Sequence, residues 1–177
     1  MPNWCFNYMN INVKNKSGKI LAEAFRPKYK EYNEYLKADE LYAKPFQDLL
    51  PCPEDLQITA TSGNGITAEL DEKYKANTAK YGYPNWYEWQ INNWGTKWDA
   101  RVTSYQESGE WVNVNFETAW SPPVEFLRWF ATQYPDVEFD NEYDEEGMFF
   151  EGKTTNDSDG FRDQCWEPKG DPEEIEE

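Results

Sequence analysis

Histidine is absent from this 177-residue sequence, and its absence removes several classes of chemistry at once. Histidine is the commonest general base near neutral pH and the usual zinc ligand outside all-cysteine sites. It is also the base in Ser-His and Cys-His nucleophile pairs. Most hydrolase mechanisms are therefore excluded, and we predict a non-catalytic protein without a metal or cofactor.

Cysteine and long apolar runs are also scarce. The three cysteines, Cys5, Cys52 and Cys165, are odd in number and show no C-x-x-C spacing, which favours reduced thiols over a disulfide framework. No apolar run approaches the roughly 20 residues that span a bilayer. The first ten residues, MPNWCFNYMN, lack the basic and apolar regions of a secretory signal. We therefore expect a cytoplasmic protein without membrane contact.

Basic residues are half as numerous as acidic residues. The chain has 17 Lys and Arg against 34 Asp and Glu, and the last 77 residues carry −16 of the net charge of −17. Direct binding to nucleic acid depends on clustered Lys and Arg, so it is disfavoured. Because a field of one sign attracts the opposite sign, the composition favours a basic protein surface as the partner. The sequence does not indicate an oligomeric state.

Aromatic residues make up 18% of the chain and supply the core volume of a single domain. We predict one domain over residues 1–167 and an acidic tail over 168–177. Residues 42–83 are predicted to be an insertion, most of it proline- and glycine-punctuated loop. Pro27 either ends the first helix or opens a second helix in which Tyr29, Tyr32, Tyr35 and Leu36 keep helical spacing.

Hydrophobic periodicity predicts the order of the remaining elements. They are a strand over 4–13, a helix from Ser17 to about Phe25, a helix from about Pro84 to Gly95, a hairpin of 98–106 with 111–120, a helix from Ser121 to about Tyr134, and a strand over 137–144 with a turn at Gly147. This order predicts an α+β fold of the ferredoxin-like kind, in which helices pack on one face of an antiparallel sheet.

Several short motifs then suggest a family. They are MPNWCFN at the start, LLPCPEDL from Leu49, NWGTKWDA from Asn93, FETAWSPP from Phe116 and EYDEEGMFFEG from Glu142. In this order they resemble the YubB-type ferredoxin-like proteins, an Api-like domain-of-unknown-function family carried by bacteriophages and plasmids. The resemblance extends to about Gly152 and leaves the acidic residues 153–177 outside it. It implies a mobile-element origin in a bacterial cytoplasm and no catalytic residues.

The segment NNWGTKWDA contains the first candidate site. Trp94 ends a helix, Gly95 can cap it, and Trp98 begins a strand, which predicts a structural corner with both indoles buried. In this interpretation Lys97 pairs with Asp99. The alternative is a ligand site in which Lys97 meets an anion between the two indoles.

The predicted first strand contains the second candidate site. Trp4, Phe6 and Tyr8 share one face, where ferredoxin-like RNA-binding domains carry aromatic residues that stack bases. Few basic residues accompany them in the sequence. The face is therefore predicted to be a second core covered by the insertion or a surface for a small molecule or partner protein.

The third candidate site is acidic. Alternation places Glu138, Asp140, Glu142 and Asp144 on one face of the strand over 137–144. We predict that Glu145, Glu146 and Glu151 extend this row. The row is either a solvated strand face or an array of carboxylates that imitates nucleic-acid phosphates.

These observations favour a non-catalytic protein from a mobile genetic element that imitates DNA charge and inhibits a host nucleic-acid-handling or defence protein. One alternative is a sponge or sensor for a small nucleotide signal that uses an aromatic pocket. Another is a structural accessory protein of a phage.

Overall fold

The computed structural model describes residues 3–33, 38–59 and 65–167, which form eight strands and six helices. The strands are β1 (Trp4–Asn12), β2 (Tyr29–Asn33), β3 (Ala38–Tyr42), β4 (Arg101–Ser108), β5 (Trp111–Ala119), β6 (Phe139–Glu145), β7 (Phe150–Asp157) and β8 (Gly160–Trp166). The helices are α1 (Lys16–Phe25), α2 (Pro45–Leu49), α3 (Glu54–Gln57), α4 (Ala68–Tyr81), α5 (Trp86–Trp94) and α6 (Val124–Gln133).

Six strands form one antiparallel sheet in the order β4-β5-β1-β6-β7-β8, and β2 pairs with β3 in a separate ribbon. The elements β1, α1, β4, β5, α6 and β6 occur in this order, interrupted by β2, β3 and α2–α5, and form the βαββαβ unit of ferredoxin-like domains. The predicted α+β, ferredoxin-like fold is therefore confirmed. Strands β7 and β8 extend its sheet by one hairpin.

The main core lies between one face of this sheet and helices α1 and α6. Alternate residues of a strand share a face, so β1 buries Cys5, Met9 and Ile11 while β5 buries Val112 and Val114. The two helices complete the core with Leu21, Ala22, Phe25, Phe126, Leu127 and Phe130. The opposite face of the sheet is left for the candidate site.

Helix α1 begins two residues earlier than predicted. Its N-cap is Asn15, whose side chain accepts a hydrogen bond from the Gly18 N–H at 2.8 Å. Ser17 lies inside the helix and donates to Asp136 at 2.6 Å. A Cβ atom at position 18 would lie 1.7 Å from the Asn12 carbonyl oxygen, so this close approach to the end of β1 requires glycine.

The segment between α1 and β4 is more regular than predicted. After Pro27 the chain forms the β2–β3 ribbon, so the alternative of a second helix there is wrong for the described residues; 34–37 lie outside them. The predicted loop contains α2, α3 and α4. Helix α4 begins where the Thr67 side chain accepts from the Leu70 N–H and ends at Gly82, whose φ is 80°. The predicted helix before Gly95 is confirmed as α5.

The C-terminal part of the described chain contains more strand than predicted. The predicted turn at Gly147 connects β6 to β7. A second turn, with Gly160 at φ 91°, then leads into β8, which was not predicted. The predicted acidic tail over 168–177 lies outside the described residues.

Candidate functional site

We call the sheet surface opposite α1 and α6 the open face. Strand β1 contributes Trp4, Phe6 and Tyr8 to it, as the alternation predicts. Tyr8 is 47% exposed, whereas Trp4 and Phe6 are half-buried. The insertion therefore does not convert this face into a second closed core around Tyr8.

The predicted acidic residues lie beside β1 on the open face. We call Glu138, Asp140, Glu142 and Asp144 the acidic row. Strand pairing places its last three members opposite Asn10, Tyr8 and Phe6, in that order. The Asn10 side chain donates to Asp140 at 3.0 Å, and the Asn12 side chain donates to Glu138 at 3.0 Å. These amides orient the first half of the row.

Lys153 on β7 partly neutralises the middle of the row. Its ammonium lies 2.9 Å from Glu142 Oε1 and 3.5 Å from Asp140 Oδ1. Both pairs are partly exposed to solvent, where such pairs contribute little to stability. Lys153 therefore reduces the negative charge of the row and contributes little to the stability of the fold.

The Asp144 end of the row is the more electronegative end. Burial, followed by the charges of Glu146, Glu151 and Glu145, raises the pKa of the Asp144 carboxyl above its usual range. Glu151 is opposite Asp144 on β7 and accepts a hydrogen bond from the Trp166 indole at 2.6 Å. The carboxylates around Asp144 concentrate negative charge here, so a cation from outside would be attracted to this end.

Glu145 does not extend the acidic row, so this part of the prediction is wrong. It is 2% exposed and points to the opposite side of β6. Its carboxylate accepts hydrogen bonds from the backbone N–H groups of Gly147, at 3.1 Å, and Met148. Glu145 therefore shapes the β6–β7 turn and does not contribute to the exposed carboxylates of the row.

The corner of NNWGTKWDA differs from the prediction at its second tryptophan. Trp94 is 2% exposed, and its indole donates to the Leu50 carbonyl at 2.9 Å. Gly95 caps α5 at φ 82°, as predicted. Trp98, however, is 39% exposed and packs against Trp4 at 6.3 Å between ring centroids, so its predicted burial is wrong.

The predicted Lys97–Asp99 pair is also wrong, because the Asp99 carboxyl turns inward. It accepts hydrogen bonds from the backbone N–H groups of Phe46, at 3.1 Å, and Gln47, at 2.9 Å, at the start of α2. Burial raises the pKa of Asp99 to about 6 despite these hydrogen bonds. Asp99 thus joins the corner to the insertion.

Lys97 lies among aromatic rings. Its ammonium is 4.6 Å from the ring centroid of Trp98, 5.0 Å from that of Trp120 and 5.7 Å from that of Tyr87. Tyr87 and Trp120, which come from α5 and from the segment after β5, were not predicted to belong to this site. Trp120 has a positive φ of 69°, a conformation that no motif in the sequence indicates.

The cysteines are independent thiols in the described structure. Burial raises the pKa of Cys5 to about 12 and that of Cys52 to about 11, which makes both poor nucleophiles and metal ligands. Cys165 is exposed on β8. Within residues 3–33, 38–59 and 65–167, no group of three or more Cys, Asp or Glu side chains is arranged to hold a metal ion.

The structure is an α+β ferredoxin-like domain whose open face contains the acidic row. Residues 93–177 match the family described as "Ferredoxin-like domain in Api92-like protein". The predicted Api-like resemblance is confirmed for this part, and the match includes 153–177, which the prediction had left outside. The family's description names a fold and no reaction. The YubB-type name and the phage or plasmid origin stay predictions.

Among solved structures, the chain is similar to the crystal structure of a protein api92 from Yersinia pseudotuberculosis. The two are 13% identical with a TM-score of 0.47, over 97% of this chain and 100% of that chain. No curated protein matches the sequence. In the described part of the chain, every helix is too short or too polar to cross a membrane.

Proposed function

We propose that this chain is a non-catalytic protein that binds a basic protein surface through its open face. The observation that supports this function best is the acidic row, which sets carboxylates at alternate positions of one strand. Tyr8 and Glu142, which are directly opposite each other in the sheet, are both exposed. A protein partner can therefore reach the aromatic and acidic parts of the face together.

The spacing of the row suits a partner that normally binds nucleic acid. Alternate residues of a strand lie about 6.6–6.8 Å apart, which is about two base-pair steps along one DNA strand. We propose that the row takes the place of phosphates on a nucleic-acid-handling or defence protein in the cytoplasm of a bacterial host. In this role the chain acts as an inhibitor from a mobile genetic element.

The surroundings of the β1 aromatic residues disfavour nucleic acid itself as the partner. Phe6 lies between Glu117 on β5 and Asp144 on β6, and Tyr8 lies beside Glu142. A phosphate backbone that followed bases stacked on these rings would meet carboxylates on the β6 side. The same arrangement attracts Lys and Arg side chains, which bind both carboxylates and aromatic rings.

Apolar side chains at the Asp144 end add contact area for a protein partner. Met148 and Phe149 in the β6–β7 turn are 53% and 70% exposed, and Trp166 is 43% exposed. Phe149 has a φ of 54°, an unfavourable conformation for a bulky residue. Aromatic residues and methionine are enriched in protein interfaces, so this end is the proposed centre of the contact.

The first test removes the charge of the row and keeps its shape. The variant E138Q/D140N/E142Q/D144N should remain folded and should recover less of the partner than wild type when tagged protein is used to capture host proteins. The control variant E69Q/D71N/E72Q/E88Q removes the same number of charges from α4 and α5, and it should recover the partner as wild type does. Mass spectrometry quantifies recovery for all three proteins.

The captured partner then allows two further measurements. Its affinity for the wild-type chain should fall steeply between 50 and 500 mM salt, because screening shortens the range of the field. The chain should also displace a fluorescent DNA duplex from the partner. Equal recovery, with equal salt dependence, for wild type and the row variant would contradict the proposal.

A further inference from the structure

Lys97 differs from most cationic side chains of this acidic protein. Among the described residues, the lysines and arginines with a carboxylate within ion-pair distance include Lys14, Arg26, Lys28, Lys73, Lys75, Lys80, Arg101, Arg128, Lys153 and Arg162. Among the described residues, Lys97 instead has the rings of Tyr87, Trp98 and Trp120 around its ammonium. These rings attract its charge but leave its N–H donors without a strong acceptor.

Two hydrogen bonds fix the backbone immediately before Lys97. Thr96 is fully buried, and its hydroxyl donates to the Ala119 carbonyl at 3.0 Å. The Ser121 hydroxyl donates to the Gly95 carbonyl. These bonds tie the corner to the end of β5, so the ammonium and the rings are held in place before any ligand arrives.

The backbone conformation of Trp120 indicates that its contact with Lys97 is part of a binding site and not a chance contact. Its φ of 69° is a left-handed conformation that is costly for a bulky side chain. The conformation is held by its own N–H, which donates to the Asn3 carbonyl at 3.0 Å. Such strain is concentrated at binding and catalytic sites, and here it accompanies the placement of an indole over Lys97.

The neighbouring aromatic residues extend the site along the open face. Trp98 packs against Trp4, and the Arg101 guanidinium lies 5.0 Å from the Trp4 ring centroid. Trp98 also lines a groove of about 700 Å³ beside the β2–β3 ribbon, together with Tyr32, Leu41 and Arg101. Trp98 and Trp4 thus each have one cation beside the ring, and a partly exposed indole such as Trp98 can stack on a flat ring while the nearby cation holds the charge of that ring.

We infer that the Lys97–Trp98 corner binds a small aromatic anion, that is, a planar ring that carries a phosphate or a carboxylate. The ring stacks on Trp98, and the charged group accepts hydrogen bonds from the Lys97 ammonium. The site shares no residue with the acidic row on which the proposed function rests. The row variant should therefore bind the ligand as wild type does.

The experiment is calorimetric titration with matched probes. Adenosine 5′-monophosphate is compared with adenosine and inorganic phosphate, and indole-3-carboxylate is compared with indole. At least one of the two charged rings should bind wild type at least 10-fold more tightly than its neutral counterpart does. Adenosine 5′-monophosphate should also bind more tightly than inorganic phosphate. The tighter of the two charged rings identifies the group that Lys97 recognises.

Three variants test which residues bind the ligand. Lys97→Met should remove the preference for the charged ring, and Trp98→Ala should weaken binding of charged and neutral rings alike. The control Lys16→Met removes a lysine from the start of α1, which follows the far end of β1, and it should leave binding unchanged. Indole N–H signals in NMR spectra should shift for Trp98 and Trp120 on titration. The inference is overturned if neither charged ring exceeds its neutral counterpart, or if Lys97→Met keeps the preference.

Discussion

Asp99 shows how one carboxyl group can join two parts of the molecule at an energetic cost. Its two oxygens accept from the first backbone N–H groups of α2, which are otherwise without partners in a helix. The same position removes the carboxyl group from water, and burial raises its pKa from 3.8 to about 6. The folded protein therefore binds a proton at Asp99 over a pH range where the unfolded chain has released it.

This difference predicts a pH-dependent stability. The contribution of Asp99 to the free energy of unfolding is fully present below pH 3.8 and is lost as the pH rises through about 6. Between pH 4 and 7 the free energy of unfolding of the wild type should fall by up to about 3 kcal/mol relative to that of Asp99→Asn, because each unit of pKa difference corresponds to about 1.36 kcal/mol. Denaturant unfolding of both proteins across this range measures the difference.

Asp71→Asn on α4 provides the control, because it removes a partly exposed carboxyl group from the insertion that Asp99 joins to the corner. A difference between wild type and Asp99→Asn that stays constant from pH 4 to 7 would contradict the raised pKa. The comparison between variants is required because other carboxyl groups also titrate in this range.

Two tryptophans four residues apart should respond differently to truncation. Trp94 is enclosed by the core and its indole donates to Leu50, so Trp94→Ala should cost about 3–5 kcal/mol. Trp98 is partly exposed, so Trp98→Ala should cost only about 1 kcal/mol. Thermal unfolding of both variants tests the exposure, and equal losses would show that Trp98 is a core residue after all.

At the scale of the element, the junction between β1 and α1 depends on Gly18. Within a helix, replacing glycine by alanine ordinarily stabilises by about 1 kcal/mol. Here the new Cβ would lie 1.7 Å from the backbone oxygen of Asn12, which the sheet holds in place. Gly18→Ala should therefore destabilise the protein by about 2 kcal/mol or more. A stabilised variant in denaturant unfolding would show that the two elements can separate without cost.

Elements with a clear apolar face could be predicted from the sequence, and elements without one could not. Strands β1 and β5 and helix α6 alternate or repeat as expected. Helix α4 buries only Asn77, so its 14 residues show no apolar stripe and depend on caps and on ion pairs such as Lys73–Glu69. Strand β8 is exposed along most of its length and shows no alternation.

The same reasoning explains the outcome at the candidate sites. The acidic row could be predicted because β6 and the residue before it supply all of it in a period of two. The ring cluster around Lys97 could not, because its rings come from three separate segments. The burial of Glu145 and the exposure of Trp98 depend on a turn and a corner whose geometry the spacing of residues does not determine.

At the scale of the whole molecule, the segment that matches the family description is incomplete as a sheet. Residues 93–177 contain β4 to β8 but not β1, which lies between β5 and β6. Without β1, the hairpin β4–β5 and the strands β6–β8 have no pairing with each other. The N-terminal strand is thus required to place the acidic row beside the β4–β5 hairpin.

The central position of β1 has a consequence for synthesis of the chain on the ribosome. Asn7 bonds to residues 111 and 134 positions later in the sequence. At about 5–20 residues per second, β1 waits roughly 5–20 s for its first partner strand, with Trp4, Phe6 and Tyr8 unpaired. The first 100 residues carry a net charge of only −1, whereas the last 77 carry −16. The segment that completes the sheet therefore also brings the charge that keeps newly made chains apart.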